Sequence, residues 1–273
     1  METVERCPRC GSIDAGGVEP IGIEFTRMRC GACGYEEVCD VWQMTMEWRE
    51  TVPKARVRGD VRSVLPGDRF LAMWKKLGAR EHGANVLERL RDAYDEAHRA
   101  YHTARHVGAC RALLDDPAVS GLAERPVEVE AALWFHDVVY DTRAADNEEK
   151  SAVWAEGSLR LAGVDPHTIA RVADHVRATR SHCASTADGQ LVVDIDLSIL
   201  GVEAEAFDRF EEEIRREYDW VDLAAYKPGR AEVLRRFLDR PFIYATSVLR
   251  ERYEQRARNN LERALRALGV TTS

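Results

Sequence analysis

The stretch AALWFHDVVYDT, residues 131–142, ends an apolar run on His136-Asp137, and a second acid, Asp141, follows four residues after Asp137. A His-Asp pair at the end of a buried segment is a poor way to build a core. An unpaired carboxylate taken out of water costs on the order of several kcal/mol, so it needs a partner. Two readings are open. One is an ion-paired aspartate beside a hydrogen-bonded histidine. The other is a divalent metal, because imidazole and carboxylate suit the same borderline cations.

The neighbouring segments carry the same residue types. Upstream lies RAYHTARHVGACRALL (99–114), where His102 and His106 are four apart and share a face if the segment is helical. Downstream lies LVVDIDLSILG (191–201), where Asp194 and Asp196 interrupt an apolar run. The order His106, His136-Asp137, Asp196 resembles the HD superfamily of metal-dependent phosphohydrolases. AYHTARHV, WFHDVVYDT, NEEKSA (147–152), ATRSH (178–182), DIDLSILG, EYDWV (217–221) and the block at 229–246 extend the likeness to an uncharacterised branch of that superfamily, from about Arg69 to about Leu268.

The resemblance implies that His106, His136, Asp137 and Asp196 hold one metal, with Mn, Fe, Co, Ni or Zn all admissible. Two imidazoles make an Mg-only site a poor fit. It implies hydrolysis of a small phosphorylated substrate, with nucleotides the first class to test. Around the metal, His102 can touch substrate or orient a ligand, or be a surface residue beside Tyr101. His182 is a candidate acid–base group or phosphate donor. Arg105, next to His106, is a candidate phosphate clamp, and Arg180 in ATRSH is a second substrate contact. Asp194 can support Asp196 or exchange roles with it. His167 and His175 read as surface or packing residues.

FHDVVYDT is also similar to the LHDVVEDT of the (p)ppGpp hydrolases of the stringent response. There the Glu of the Glu-Asp pair is a catalytic acid; here Tyr140 stands in its place while Asp141 is kept. That mechanism cannot be carried over whole. Glu148 or Glu149 can supply the missing carboxylate, or both can be solvated first-turn acids favoured by the helix dipole. Two other functions compete. An HD-type di-iron oxygenase needs further, well-separated histidines, and only His167, His175 and His182 are available between the His-Asp pair and Asp196. A non-catalytic ligand sensor or adaptor is the third.

The elements that must position these residues are helical almost throughout 68–273. Apolar residues recur at three- and four-residue spacing, as at Phe70, Leu71, Met73, Trp74 and Leu77, and at Val86, Leu87, Leu90, Tyr94 and Ala97. The second series predicts helix running on through His102 and His106. Asn147 is the expected N-cap of EEKSAVWAEGSLRLAG, which stops at Gly163, and Asp165-Pro166 opens another helix. LVVDIDLSIL has strand composition, but the resemblance implies a helix.

Residues 1–47 read as a separate, β-rich zinc ribbon. CPRC (7–10) and CGAC (30–33) are Cys-x2-Cys knuckles, each followed by glycine, so Cys7, Cys10, Cys30 and Cys33 are the expected structural zinc ligands. So small a unit draws most of its stability from the metal. Residues 1–50 hold five arginines and ten acids, a net of −5, which argues against a nucleic-acid ribbon and favours protein docking or a structural cap. Residues 48–67, net +3 with Pro53, Gly59, Pro66 and Gly67, read as a basic linker.

The predicted architecture is therefore mainly α: an HD-type helical bundle over 68–273 with a small N-terminal ribbon. At 273 residues and net −8 the chain has no general affinity for nucleic acid or anionic membrane. It has no apolar run of membrane-spanning length and no signal-peptide core in METVERCPRC, so cytoplasm is the expected location. Seven cysteines there suggest metal binding or free thiols before disulfides.

Overall fold

The structure, a computed structural model, describes the backbone of residues 15–20, 25–30 and 36–40, and residues 64–269 with their side chains. The chain divides into two units, Met1–Ala55 and Arg56–Ser273, so the boundary falls inside the expected linker.

In the first unit, β1 (Ala15–Pro20), β2 (Phe25–Cys30) and β3 (Glu36–Asp40) form an antiparallel sheet in the order β1-β2-β3. Cys7, Cys10 and Cys33 lie outside the described residues, and Cys30 ends β2. The expected zinc site thus falls beyond what the structure describes.

The second unit is mainly helical. Its helices are α1 (Gly67–Lys76), α2 (Gly83–Tyr94), α3 (Ala104–Leu114), α4 (Pro117–Ser120), α5 (Pro126–Phe135), α6 (Asn147–Leu161), α7 (Pro166–Ser181), α8 (Ala187–Asp196), α9 (Ala204–Glu217), α10 (Leu223–Leu238) and α11 (Ser247–Ala267). A 3-10 helix, Leu197–Gly201, continues α8. Among the described residues no helix is long and apolar enough to cross a membrane.

Helix α5 is the centre. Apart from Glu128 and Glu130, which pair with Arg171 and Arg69, PVEVEAALWF is apolar on every side, and such a helix must be covered all round. It packs against α1, α3, α6, α7 and α8. Val129, Ala131, Ala132, Leu133, Trp134 and Phe135 have no exposed surface. Pro126 at its first turn needs no N–H partner, which fixes the start. Its far end delivers His136 and Asp137. The LVVDID segment is helical, as the resemblance implied; Thr186 caps α8 by accepting from the Gly189 N–H. The 3-10 segment after Asp196 is fastened to α11 and the turn before it. The Asn260 amide donates to the Leu200 and Val202 carbonyls, and the Tyr244 hydroxyl to the Leu197 carbonyl. At Gly201 a Cβ would stand 2.8 Å from the Tyr253 carbonyl oxygen, so only glycine admits this approach.

Three local expectations are corrected. The stretch from Ala84 to Leu114 is two helices, broken by residues 95–103. Leu71 is 43% exposed, since the inward stripe of α1 already runs through Phe70, Met73 and Trp74. Asn147 is the first residue of α6, not its cap; its side chain instead exchanges hydrogen bonds with the Asp141 backbone. Helix α10 begins at Leu223, where Asp222 caps the Ala224 and Ala225 N–H groups, and carries Pro228 inside it. The Asp165-Pro166 start holds, with Asp165 accepting from the Thr168 N–H.

Candidate metal centre

The C-terminal ends of α5 and α8 meet the first turn of α3. Nε2 of His106 lies 3.0 Å from Nε2 of His136 and 3.1 Å from Oδ1 of Asp196. Oδ2 of Asp137 is 3.0 Å from His136 Nε2 and 3.5 Å from His106 Nε2, and Asp196 Oδ1 is 3.6 Å from His136 Nε2. The two rings are buried; the two carboxylates keep 16% and 15% of their side-chain surface exposed.

Hydrogen-bond roles orient both rings. Nδ1 of His136 is 3.1 Å from the Leu133 carbonyl, which can only accept, so Nδ1 carries a proton and Nε2 is the nitrogen that faces inward. Nδ1 of His106 is 2.9 Å from the Tyr101 hydroxyl. Asp137 Oδ2 is buried yet has no hydrogen-bond partner. Burial works against a charged His136, but Asp137 and Asp196 prevail and hold its pKa well above the ordinary histidine value. Burial likewise opposes an ionised Asp137 or Asp196; for Asp137 the His136 charge, and for Asp196 the bonds from His106 and His136, keep the pKa low instead. Cys110, four residues after His106 on α3, completes a group of three buried donors within 4.8 Å of one another: His106, Cys110 and His136. This group can hold a metal ion.

His102 does not share a helix face with His106. It precedes Thr103, the N-cap of α3, in the irregular stretch that breaks the expected long helix. A buried carboxylate from the end of α9 holds it there. Glu217 Oε1 accepts from the backbone N–H groups of Ala100, Tyr101 and His102 at 2.7, 2.7 and 2.9 Å. Its Oε2 accepts from His102 Nδ1 and from the Tyr140 hydroxyl, each at 2.7 Å. The Tyr140 ring stacks on His102 with centroids 4.1 Å apart. The buried Arg99 guanidinium then ties this turn to the metal-side turn, donating to the carbonyls of His102, Asp137 and Val138. Burial disfavours charge on both members of the pair. The contact between them outweighs it, raising the pKa of His102 and lowering that of Glu217 to about 2.

His102, Asp137 and Asp196 border a cavity of about 660 Å³ that also reaches His182, Glu148 and Arg180. His182, in left-handed backbone conformation at the end of α7, puts Nε2 3.6 Å from Asp196 Oδ2. Burial lowers its pKa, with Asp196 acting against that. Burial, and then the charge of Asp137, raises that of Glu148. Glu149 is taken by Arg177.

Other expected site residues lie elsewhere. Asp141 is exposed and accepts from the Arg143 N–H, a turn contact. Asp194 points the other way along α8 and accepts from the Ala245 and Thr246 N–H groups, so it holds the start of α11. Arg105 borders a separate cavity of about 220 Å³ and is bound to Glu213 and the Ala100 carbonyl. The histidines an iron-oxygenase reading needs are not together. His167 is exposed, and His175 is buried near Asp188 with Nε2 unpartnered.

Sequence reasoning passed over Cys110, Tyr101, Arg99 and Glu217. The first had a signal, its i+4 spacing from His106. Glu217 lies more than a hundred residues from the turn it holds, and EYDWV alone gives no sign of that. Comparison of the chain with family models, with curated proteins and with solved structures returns no match.

Proposed function

We propose that the helical unit is a metal-dependent phosphohydrolase of the HD type, with a divalent ion held by His106, His136, Asp137 and Asp196. The supporting observation is the mutual spacing of these four side chains. An ion bonded to nitrogen and oxygen at about 2.1 Å sets neighbouring donors about 3.0 Å apart in an octahedron and about 3.4 Å apart in a tetrahedron. Five of the six donor pairs span 3.0–3.6 Å. Nε2 of His136 and an orphaned oxygen of Asp137 face each other across this space, and a cation that displaces the proton satisfies both. The ends of α5 and α8 add the partial negative charge of two helix C-termini. Cys110 is the weaker donor. Its Sγ stands 3.8 Å from both nitrogens of His106, and burial pushes its thiol pKa well above the usual value, whereas a ligand must be a thiolate.

A divalent ion held there supplies Lewis acidity toward a phosphoryl group and makes water easier to deprotonate. The residues of the chain do the rest. Arg180, with no carboxylate in ion-pair range among the described residues, draws in a phosphate dianion. His102 is the general acid: Glu217 occupies Nδ1, so a proton on Nε2 is presented to the cavity. As the ester P–O bond breaks and the water oxygen bonds to phosphorus, that proton goes to the leaving oxygen. The proton given up by water returns to His102 through solvent or Glu148. Tyr140 occupies the position where (p)ppGpp hydrolases carry an acid, and here it braces the Glu217–His102 pair.

The test compares Asp137→Ala with Cys110→Ala after loading with Mn²⁺, Co²⁺, Ni²⁺ or Zn²⁺. Asp137→Ala loses the bound ion and phosphate release from a panel of nucleotides and simple esters; Cys110→Ala keeps both. Full metal-dependent hydrolysis by Asp137→Ala overturns the proposal.

A further inference from the structure

The large cavity has an apolar lining as well as its metal-side groups, and that lining limits what the phosphate can be attached to. Its apolar lining includes Ile199, Phe210, Val221, Val233 and Phe237, with Tyr218 and Tyr226 among them. At about 660 Å³ the space is large enough for a drug-sized ligand.

The polar groups along the wall are nearly all taken. The Asn147 amide is spent on the Asp141 backbone, and the Thr179 hydroxyl on the Val176 carbonyl. The hydroxyls of Tyr101 and Tyr140 are held by His106 and Glu217. The Arg230 guanidinium is bound to Glu211 and lies over the Phe210 ring. Besides the metal-side residues, Glu148 and Arg180, the side-chain groups left are the hydroxyls of Tyr218 and Tyr226. A nucleobase presents several donors and acceptors at one edge, and a pocket that selects it must match them or leave them unpaired at a cost. No free amide borders this cavity among the described residues.

Charge accounting points the same way. A di- or triphosphate brings two to four negative charges, and beyond the proposed ion and His102 the cavity offers one unpaired arginine, Arg180, with Glu148 nearby. Electrostatics therefore suits a single phosphoryl group at the metal centre.

We infer that the substrate is a monophosphate ester of an apolar alcohol, alkyl or aromatic, whose organic group lies against Ile199, Val221, Val233 and Phe237. This rests on the hydrolase reading for the metal centre, but the apolar lining is an independent observation.

Two measurements separate the two. The first is kcat/KM for phosphate monoesters of ethyl, butyl, hexyl, phenyl and naphthyl alcohols and for AMP and ATP, on the full-length protein loaded with Mn²⁺. The second is the affinity of the matching alkylphosphonates, which cannot be hydrolysed, by calorimetry. Burying one methylene supports about a two- to fourfold gain. We expect kcat/KM and phosphonate affinity to rise by that factor per methylene from ethyl to hexyl, with AMP at least tenfold below naphthyl phosphate and ATP lower still. Val233→Ser, at a half-buried position, flattens the rise while the protein keeps its metal and thermal midpoint; Phe237→Leu is the second variant if that one misfolds. A flat series, or AMP favoured over every apolar ester, overturns the inference while leaving the hydrolase reading intact. A rising phosphonate series with no turnover of any ester upholds the apolar lining and overturns the hydrolase reading instead.

Discussion

At the scale of single residues, the centre is defined by nitrogen and oxygen donors that face one another at close range. His136 offers Nε2 because Leu133 holds the proton on Nδ1, and Asp137 offers an oxygen with no donor. In the metal-free protein the neighbouring carboxylates hold the His136 pKa well above the ordinary value, so protons compete with metal. Metal binding should release protons and weaken as pH falls, by about tenfold per pH unit for each proton displaced. Calorimetric titrations of Mn²⁺ or Zn²⁺ in buffers of different ionisation enthalpy measure that number; a binding enthalpy independent of buffer counts against this picture. His102 makes a different kind of prediction. His102→Gln should keep the ion and change KM little while lowering kcat by roughly 10²–10⁴-fold, the usual worth of a general acid. Atomic absorption on the same sample that gives the kinetics checks both halves.

At the scale of elements, the decisive piece is the irregular stretch 95–103 between α2 and α3. Helix α9 reaches it through Glu217, whose side chain has no exposed surface and which takes three backbone N–H groups and two side chains. The folded pKa of about 2 lies below the ordinary 4.5. The sign follows: the ionised group stabilises the fold fully above pH 4.5, and that contribution fades as pH falls through 4.5 toward 2. Glu217→Gln should therefore unfold at lower urea than the parent at pH 7, by roughly 3 kcal/mol, and the gap should narrow below pH 4.5. Urea titrations at pH 7, 4 and 3 read it. A gap that stays constant down to pH 3 would show that Glu217 acts through shape and not charge.

At the scale of the whole molecule, the two units answer to different physics. The helical unit has a continuous apolar core from Leu65 to Leu265, built around α5. A unit of about fifty residues is small for a hydrophobic core, and its four knuckle cysteines make zinc the expected source of stability. Cys30→Ser should remove one zinc per chain and open the N-terminal unit to protease. The helical unit should keep its far-ultraviolet circular dichroism and thermal midpoint, because its core is its own. Loss of the helical signal in that variant would mean that the units do not fold independently.

The sequence by itself determined the helical class and the order of the segments, because helical periodicity is a local signal; the His-Asp pair stood out on its own, but the set of four side chains that come together was marked only by the likeness to the HD superfamily. It also marked α8 as helical through the likeness of DIDLSILG, where composition alone favoured a strand. What only the tertiary structure decided depends on contacts between distant residues. Asp194 and Asp196 are two apart in sequence, and only the packing of α8 turns one to the α11 start and the other to the metal centre. Arg105 and Arg180 are equally good phosphate ligands by type; Glu213 takes the first and the cavity wall presents the second. His102 leaves the helix of His106 because Glu217, 115 residues away, supplies the acceptors that make a non-helical turn affordable there. A hydrogen-bonding partner at that separation leaves no periodic trace, since nothing in the spacing of residues 95–106 records which carboxylate folding will bring against them.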